Sequence, residues 1–379
     1  MQAVLVNGRI LAESGFVDGK SLVVENGRIA AILNAADAPA DATRHDLDGG
    51  LLVPGFIDTQ VNGGGGVLFN DAPTVETIAA IGAAHRPFGT TGFLPTLISD
   101  DLTVVDTAMR AVEAAIEAGV PGVLGIHIEG PFLNAKRKGI HDAGKFRVID
   151  DAAAALLGSL KIGKTLVTLA PETTTPDTIR KLTNNGVIVA AGHTNAAYGT
   201  MRKALAAGLT GFTHLFNAMS PLTSREPGAV GAALESQTAW CGLIVDGRHV
   251  DPVVLRIALR TRPLDRFMLV TDAMPTVGMI DKSFDLQGRQ IHVVNGVCVD
   301  AHGTLAGSDL DMAAAVRNAI SMLNLTVEDA VSLASASPAA FLGLAGQRGR
   351  IAVGQAADLV LLDDNLKVRE TWIDGASSR

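Results

Sequence analysis

The strongest constraint on the fold is an alternation through the middle of the chain. Short apolar runs of β-type composition recur there, and a stretch with helical spacing follows each one. Eight runs can be counted, at 55–61, 90–97, 123–129, 165–171, 187–193, 209–215, 241–247 and 266–272. Near-continuous apolar strands that alternate with helices indicate a parallel sheet covered on both faces. Eight units over about 250 residues predict an α/β fold with a (β/α)8 barrel, and a doubly wound open sheet is the alternative.

The two ends of the chain have a different pattern, with short β-type runs broken by Asn-Gly, Asp-Gly and Gly-Gly turns. We therefore predict that residues 1–52 and 347–379 form one small β-sandwich domain, and that residues 53–346 form the barrel. The segment 281–307 departs from the alternation. Its turn dipeptides Gln287-Gly288, Asn295-Gly296 and His302-Gly303 predict a β insertion after the eighth strand.

Composition excludes several classes of protein. The chain has 31 Lys and Arg against 39 Asp and Glu, a formal charge of −8, so we expect no nucleic-acid partner. Its two cysteines, Cys241 and Cys298, are too few for a disulfide framework and indicate a reducing compartment. The sequence has neither a long apolar run nor the layout of a signal peptide, so we expect no membrane span and a cytoplasmic location.

Polar residues mark the ends of the predicted strands, where a buried strand does not need them. In a barrel these ends converge on one face, and active sites lie on that face. The residues concerned are Asp58, Gln60, Asn62, Glu129, His193, His214 and Asp272.

Glu129, His193 and His214 together predict a metal site. Zinc in hydrolytic sites commonly uses three such protein ligands and keeps a fourth position for water. Asp272 then lies where a carboxylate could take a proton from that water and return it to a leaving nitrogen. For each histidine taken alone, a structural role is an equal alternative.

Other residues are candidates for substrate contacts. His141 and His249 fall on barrel loops, where a solvent-exposed histidine is the alternative. Arg225 could bind an anion or make an ordinary surface salt bridge. The N–H groups of Asn217 and Ala218 could also bind an anion.

His127 and the loop 133–140 each have more than one interpretation. His127 shares a strand face with Glu129, which favours a supporting or packing role. The loop 133–140 is basic and contains glycine, which fits either a mobile lid or a static rim.

A set of short strings carries a family resemblance. PGFID, GIHIEGPFLN, KGIHD, AGHTNA, THLFNAM, REPG, DGRHV and LVTDAM occur in this order. Together they resemble the amidohydrolase superfamily and, within it, the N-acetylglucosamine-6-phosphate deacetylase family. The resemblance covers essentially the whole chain and implies a metal-bearing barrel joined to a small β domain built from both chain ends.

The resemblance also implies roles for individual residues. Glu129, His193 and His214 match the metal ligands of the family, Asp272 matches its catalytic aspartate, and His141 matches the histidine that polarises the acetyl carbonyl.

Four positions match those that bind the sugar phosphate, namely Asn217, Ala218, Arg225 and His249. In the family, the equivalents of Arg225 and His249 come from the neighbouring subunit, which implies a homodimer with shared sites.

One departure from the superfamily pattern concerns the number of metal ions. Many amidohydrolases carry His-x-His at the end of strand one, whereas this chain has Gln60 and Asn62. An amide is a poor ligand beside imidazole for a transition metal, so we predict one divalent ion per subunit. Zinc is our first choice, with iron, cobalt and manganese as alternatives. Gln60 is then expected to hydrogen-bond the nucleophilic water.

The function that these features imply is hydrolysis of the N-acetyl group of N-acetylglucosamine 6-phosphate. Its products would be glucosamine 6-phosphate and acetate. A deacetylase for the galactosamine epimer, another N-acyl amidohydrolase, and a non-catalytic binding protein that has kept the barrel are the alternatives.

Overall fold

The computed structural model describes residues 2–39, 41–294 and 296–379. Seven strands come first in the chain, in hairpins and short connections. They are β1 Gln2–Val6, β2 Arg9–Ala12, β3 Gly15–Val17, β4 Lys20–Glu25, β5 Arg28–Asn34, β6 Thr43–Asp46 and β7 Leu51–Pro54. Asn7 and Asn26, which precede glycines in two of the turns, have positive φ of 58° and 49°, as tight turns of this kind require.

The middle of the chain folds into a barrel of eight parallel strands, so the prediction of a (β/α)8 barrel is confirmed. Its strands lie in the order β17-β16-β15-β14-β13-β12-β11-β8. The strands from β8 on are β8 Phe56–Val61, β9 Gly63–Gly64, β10 Val67–Leu68, β11 Thr90–Ile98, β12 Gly125–Glu129, β13 Lys164–Leu169, β14 Ile188–Ala191, β15 Gly211–Phe212, β16 Trp240–Leu243 and β17 Phe267–Leu269. β9 and β10 form a small hairpin outside the barrel.

Backbone contacts join the first and last barrel strands near their carboxyl ends. The N–H of Asp272 donates to the carbonyl of Gln60 at 3.0 Å, and the N–H of Asn62 donates to the carbonyl of Ala273 at 2.9 Å. A doubly wound open sheet is therefore ruled out, because its two edge strands would not meet.

A helix follows each barrel strand, as the sequence pattern predicted. The helices are α1 Val75–His85, α2 Leu102–Glu117, α3 Asp151–Leu157, α4 Pro176–Asn184, α5 Tyr198–Ala206, α6 Gly228–Glu235, α7 Pro252–Leu259, α8 Met312–Leu323, α9 Val327–Ala334 and α10 Ala336–Phe341. In α2 the buried residues Val105, Ala108, Met109 and Val112 have the i, i+3, i+4, i+7 spacing that places them on one face. α4 begins with a Thr175 cap and Pro176 in its first turn, a typical helix start.

The predicted β insertion is a four-stranded antiparallel sheet. Its strands are β18 Ser283–Leu286, β19 Arg289–Val294, β20 Val297–Val299 and β21 Leu305–Ser308. Asn295, part of one predicted turn, lies outside the described residues. Ile291 and Cys298 of this sheet pack in one buried cluster with Ile98, Ile140 and Met274. The insertion therefore covers the end of the barrel where the candidate site lies.

The last strands of the chain return to the first ones. They are β22 Leu359–Leu362, β23 Val368–Ile373 and β24 Ala376–Ser377, and one sheet has the order β24-β23-β22-β7-β2-β3. Its buried core includes Ile10, Leu52, Leu361 and Trp372. This shared sheet supports a β domain of residues 1–52 and 347–379 beside a barrel of residues 53–346, although β7 crosses the first boundary. The division itself stays a prediction.

Two sequence expectations about the environment can be compared with the structure. Cys241 and Cys298 are both buried free thiols. Within the described ranges, no helix combines the length and the apolar character that a bilayer crossing requires.

Candidate metal centre and active site

Three buried side chains meet at the carboxyl ends of the barrel strands β12, β14 and β15. Glu129 is the last residue of β12, and His193 and His214 each lie two residues beyond the end of their strand. His193 Nε2 and His214 Nε2 lie 3.2 and 3.0 Å from Glu129 Oε1, and 3.1 Å from each other. The sequence prediction that these residues come together is confirmed as geometry.

The donor atoms fit a divalent ion. In a tetrahedral site with bonds of about 2.0–2.1 Å, the ligand atoms lie about 3.3 Å apart, close to the spacings found here. His193 Nδ1 is 2.8 Å from the carbonyl oxygen of Arg137. Nδ1 must therefore carry the proton and donate it, which leaves the Nε2 lone pair free for a metal.

The ligand charges are mutually stabilising. Burial opposes ionisation of Glu129, but the neighbouring His193 and His214 together outweigh burial and hold the pKa of this carboxyl well below its usual range. For His214, burial likewise works against the charged form, yet the contacts with Glu129 raise its pKa. An anionic carboxylate beside two imidazoles is the donor set that zinc commonly takes in hydrolases.

The backbone at these strand ends is strained. His193, His214, Ala218 and Asp272 have φ of 46°, 31°, 50° and 54°, in the left-handed region that non-glycine residues rarely adopt. Each such residue costs on the order of 1–3 kcal/mol, and such residues cluster at functional sites. Here the strain accompanies the turns that aim three of these side chains at one point.

Asp272 lies beside the proposed ligands. Its Oδ1 accepts hydrogen bonds from Gln60 Nε2 at 3.1 Å and from Asn62 Nδ2 at 2.7 Å. Burial, together with repulsion from Glu129, raises the pKa of Asp272 to about 6. A carboxyl with a pKa near neutrality can both take and return a proton, as a general acid–base catalyst must.

Gln60, which the sequence predicts to hydrogen-bond the nucleophilic water, contacts both carboxylates of the site. Its Nε2 donates to Glu129 Oε2 and to Asp272 Oδ1, both at 3.1 Å. The side chain lines a small cavity inside the barrel with His127 and Thr213. One amide group therefore bridges the two carboxylates, and water orientation stays a prediction.

His141 faces the same pocket, and its tautomer follows from its neighbours. Its Nδ1 accepts from the backbone N–H of Ser99 at 3.3 Å and lies 2.8 Å from Ser99 Oγ. Burial, with His193 nearby, holds the pKa of His141 well below its usual range. The ring is therefore neutral with its proton on Nε2, the form that can donate to a carbonyl oxygen.

One cavity of about 370 Å³ joins most of the predicted site residues. It is lined by Glu129, His141, His193, His214, Asn217, Ala218, His249 and Asp272, and by the basic residues Lys136 and Arg137. His249 Nδ1 contacts Asp246 Oδ2 at 2.6 Å.

His249 and Arg225 lie in different places relative to this pocket. His249 lies in the pocket of its own chain, which corrects the expectation that it arrives from a neighbouring subunit. The loop after β16 is simply long enough to bring it there. Arg225 lies in an exposed loop, outside the lining of this pocket.

Two further buried histidines are accounted for by packing. His127 is buried between Thr96 Oγ1 at 3.2 Å and Thr168 Oγ1 at 2.8 Å, and burial lowers its pKa to about 4. His85 is buried on α1 and contacts the Gly63 carbonyl at 2.9 Å.

Sequence reasoning missed Ser99, Glu172 and Asp246. Ser99 directly follows β11, and Glu172 follows β13 by three residues. The rule that polar residues at strand ends converge would have found both residues if it had been applied to strands two and four as well. Asp246 precedes His249 by three residues, a spacing that carries no signal on its own.

Comparisons with known proteins agree with this geometry. A model of the amidohydrolase family matches residues 51–377. The chain is 44% identical to N-acetylgalactosamine-6-phosphate deacetylase of Shewanella sp. strain ANA-3, over 97% of this chain and 93% of that protein. It is 36% identical to human N-acetylglucosamine-6-phosphate deacetylase, over 98% and 93%. The crystal structure of N-acetylglucosamine-6-phosphate deacetylase from Pasteurella multocida superposes with a TM-score of 0.96, at 34% identity and full coverage of both chains.

Proposed function

Because the chain belongs to the amidohydrolase family, and there to the amino-sugar 6-phosphate deacetylases, we propose that it removes the N-acetyl group of N-acetylglucosamine 6-phosphate. The products are glucosamine 6-phosphate and acetate. The observation that carries this proposal is Asp272, a carboxyl with a pKa near 6 beside the three-ligand cluster and in the same pocket as His141.

Glu129, His193 and His214 would hold one divalent ion, zinc in first place and iron, cobalt or manganese otherwise. When bound, such an ion acts as a Lewis acid towards water and the amide carbonyl.

The protein side chains then divide the proton transfers between them. Asp272 accepts the proton of the attacking water, and later donates it to the leaving nitrogen. His141 donates from Nε2 to the carbonyl oxygen as negative charge develops there, a type of stabilisation that often dominates catalysis.

The rest of the pocket suits a sugar phosphate. Asn217, Ala218 and His249 line the cavity, and Lys136 and Arg137 bring positive charge to it. In a chain with a net charge of −8, a local basic pair favours an anionic substrate.

The galactosamine epimer is a second candidate substrate, and the 44% identity to the Shewanella enzyme favours it. The test is acetate release from each 6-phosphate under identical conditions, compared as kcat/KM. A higher value for the glucosamine compound supports the proposal, and a higher value for the galactosamine compound transfers the assignment to the epimer.

Arg225 does not line the pocket of its own chain. We therefore propose a homodimer in which Arg225 of each subunit reaches the site of the other. The surface beside Arg225 is apolar, with Leu222 55%, Val254 38% and Ile257 55% exposed. These residues surround a shallow cavity together with Phe216 and Met219, and contiguous apolar surface of this kind marks interaction sites.

Mixing two variants, each with little activity at a substrate concentration below the wild-type KM, tests whether Arg225 acts across the interface. In a hybrid of Arg225→Ala and Asp272→Asn subunits, one site would have both residues only if Arg225 comes from the partner. Random exchange would then restore about a quarter of the wild-type activity in a symmetric dimer. No recovery, with subunit exchange demonstrated, would assign Arg225 to its own chain.

We also place the enzyme in the cytoplasm, because its two cysteines are buried free thiols and such thiols suit a reducing compartment. Cell fractionation tests this placement.

A further inference from the structure

The loop 134–141 runs from the proposed metal ligands to His141, and it contacts the ligand His193 twice. The N–H of Asn134 donates to the carbonyl of His193 at 3.0 Å. His193 Nδ1 donates to the carbonyl of Arg137 at 2.8 Å. The orientation of the His193 ring therefore depends on where this loop lies.

One carboxylate connects the start of this loop to the residues that follow His193. Glu172, half-buried after β13, accepts with Oε1 from Asn134 Nδ2 at 2.8 Å and from the Asn195 N–H at 2.6 Å. Its Oε2 accepts from Thr194 Oγ1 at 2.5 Å. All three donors lie on the two segments that meet at His193.

A second contact continues this connection to the middle of the loop. Arg137 Nε donates to Asn195 Oδ1 at 3.0 Å, and the backbone of Asn195 is held by Glu172. The far end of the loop is fixed independently, because His141 Nδ1 contacts Ser99. Without Glu172, the loop would keep its anchor near His141 and its two direct contacts with His193, but it would lose the carboxylate that joins Asn134 to Thr194 and Asn195.

We propose that Glu172 is a positioning residue, which holds the loop 134–141 against His193 and so sets both the metal ligand and His141 in place. Glu172 contacts neither the ligand atoms of the cluster nor the pocket, so its effect passes through the loop. Hydrogen bonds to an ionised acceptor are stronger than neutral ones, so one carboxylate can hold all three donors in place. The effect on catalysis rests on the proposed function, whereas the effect on ion binding and on the loop does not.

The test uses the full chain with Glu172→Ala and Glu172→Gln, and Glu117→Ala as the matched control. Glu117 is exposed at the end of α2. Zinc affinity is measured by competition with a chromophoric chelator. We expect Glu172→Ala to weaken it by about 10–100-fold, the usual effect of removing a residue that orients a metal ligand. Glu172→Gln keeps the Oε1 acceptor and loses only the oxygen that accepts from the Thr194 hydroxyl. We therefore expect a smaller loss of zinc affinity than in Glu172→Ala.

Trypsin provides a readout on the loop itself, because Lys136, Arg137 and Lys138 offer three cleavage sites within it. Zinc-loaded proteins are digested well below their unfolding temperature, and peptides that begin at Arg137, Lys138 or Gly139 are followed by mass spectrometry. We expect faster cleavage at these bonds in Glu172→Ala than in the wild type, and no change in Glu117→Ala.

A purely structural role would give a different result. If Glu172→Ala lowered the unfolding temperature but left zinc affinity and cleavage at these bonds as in the control, the proposal would be wrong. If Glu172→Ala does not fold, Glu172→Gln carries the same comparison. Since neither readout uses a sugar substrate, a failure of the proposed deacetylation would leave this test unaffected.

Discussion

Asp58 provides a prediction whose size can be worked from the structure. It lies fully buried on β8 and accepts hydrogen bonds from Thr271 Oγ1 at 2.5 Å, the Thr271 N–H at 3.3 Å and the Gln60 N–H at 3.2 Å. These contacts connect the first and last strands of the barrel. Burial nevertheless dominates and raises the pKa of Asp58 from 3.8 to about 7.

The sign of the effect on stability follows from proton binding. Between pH 4 and pH 7 the folded protein keeps this proton and the unfolded chain releases it. The free energy of unfolding contributed by Asp58 therefore falls as pH rises. From pH 5 to pH 8 the loss is about 2–3 kcal/mol, for a pKa difference of about three units at roughly 1.4 kcal/mol per unit.

Asp58→Asn removes the titration and keeps the shape of the side chain. Replacing one carboxylate oxygen by NH2 changes the contact with the Thr271 hydroxyl, but that change does not depend on pH. The stability of the variant relative to the wild type should therefore increase by about 2–3 kcal/mol between pH 5 and pH 8.

Urea unfolding of both proteins at several pH values measures this difference. Chelator is present throughout, so that no bound ion adds to the local field. Asp364→Asn, at an exposed position, controls for the loss of a charge. A stability of Asp58→Asn relative to the wild type that stays constant, or that falls as pH rises, would refute the reasoning.

The remaining predictions concern catalysis. Asp272→Asn should lower kcat by about 100-fold or more, because proton transfer is lost, while metal analysis shows the ion retained. Near-normal turnover would contradict this assignment. Ser99→Ala should lower kcat by roughly 10-fold, less than the loss of an oxyanion donor costs, because the His141 ring keeps only the backbone contact at Nδ1. A change confined to KM would argue against a role of Ser99 in positioning the His141 ring. Arg225→Ala should raise KM by about 10–100-fold with kcat little changed, if its charged hydrogen bond to phosphate is equally strong in ground and transition states. Steady-state kinetics measures both constants, and a loss of kcat alone would exclude that role for Arg225.

Much of the fold could be predicted because it depends on local patterns. The run GIHIE at 125–129 is apolar except at His127 and Glu129, and both are buried on β12. The positions of the ligands followed from the same pattern, since parallel strands end on one face.

The rest depends on contacts that no local pattern encodes. His249 was expected from a partner, but the loop after β16 brings it into its own pocket. The amide of Gln60 donates to both Glu129 and Asp272, contacts that its place on strand one does not indicate. Glu172 acts on residues 134, 194 and 195, and only the folded chain shows that these positions meet.

The most direct test of the central claim is acetate release by the zinc-loaded protein from N-acetylglucosamine 6-phosphate, beside unphosphorylated N-acetylglucosamine. We predict fast release from the phosphorylated sugar alone, lost on chelation and restored by added zinc. Equal rates on both sugars would contradict the role of the basic pocket. No release from either, with zinc bound, would contradict the proposed substrate and leave the barrel and its ligand cluster to another N-acyl compound.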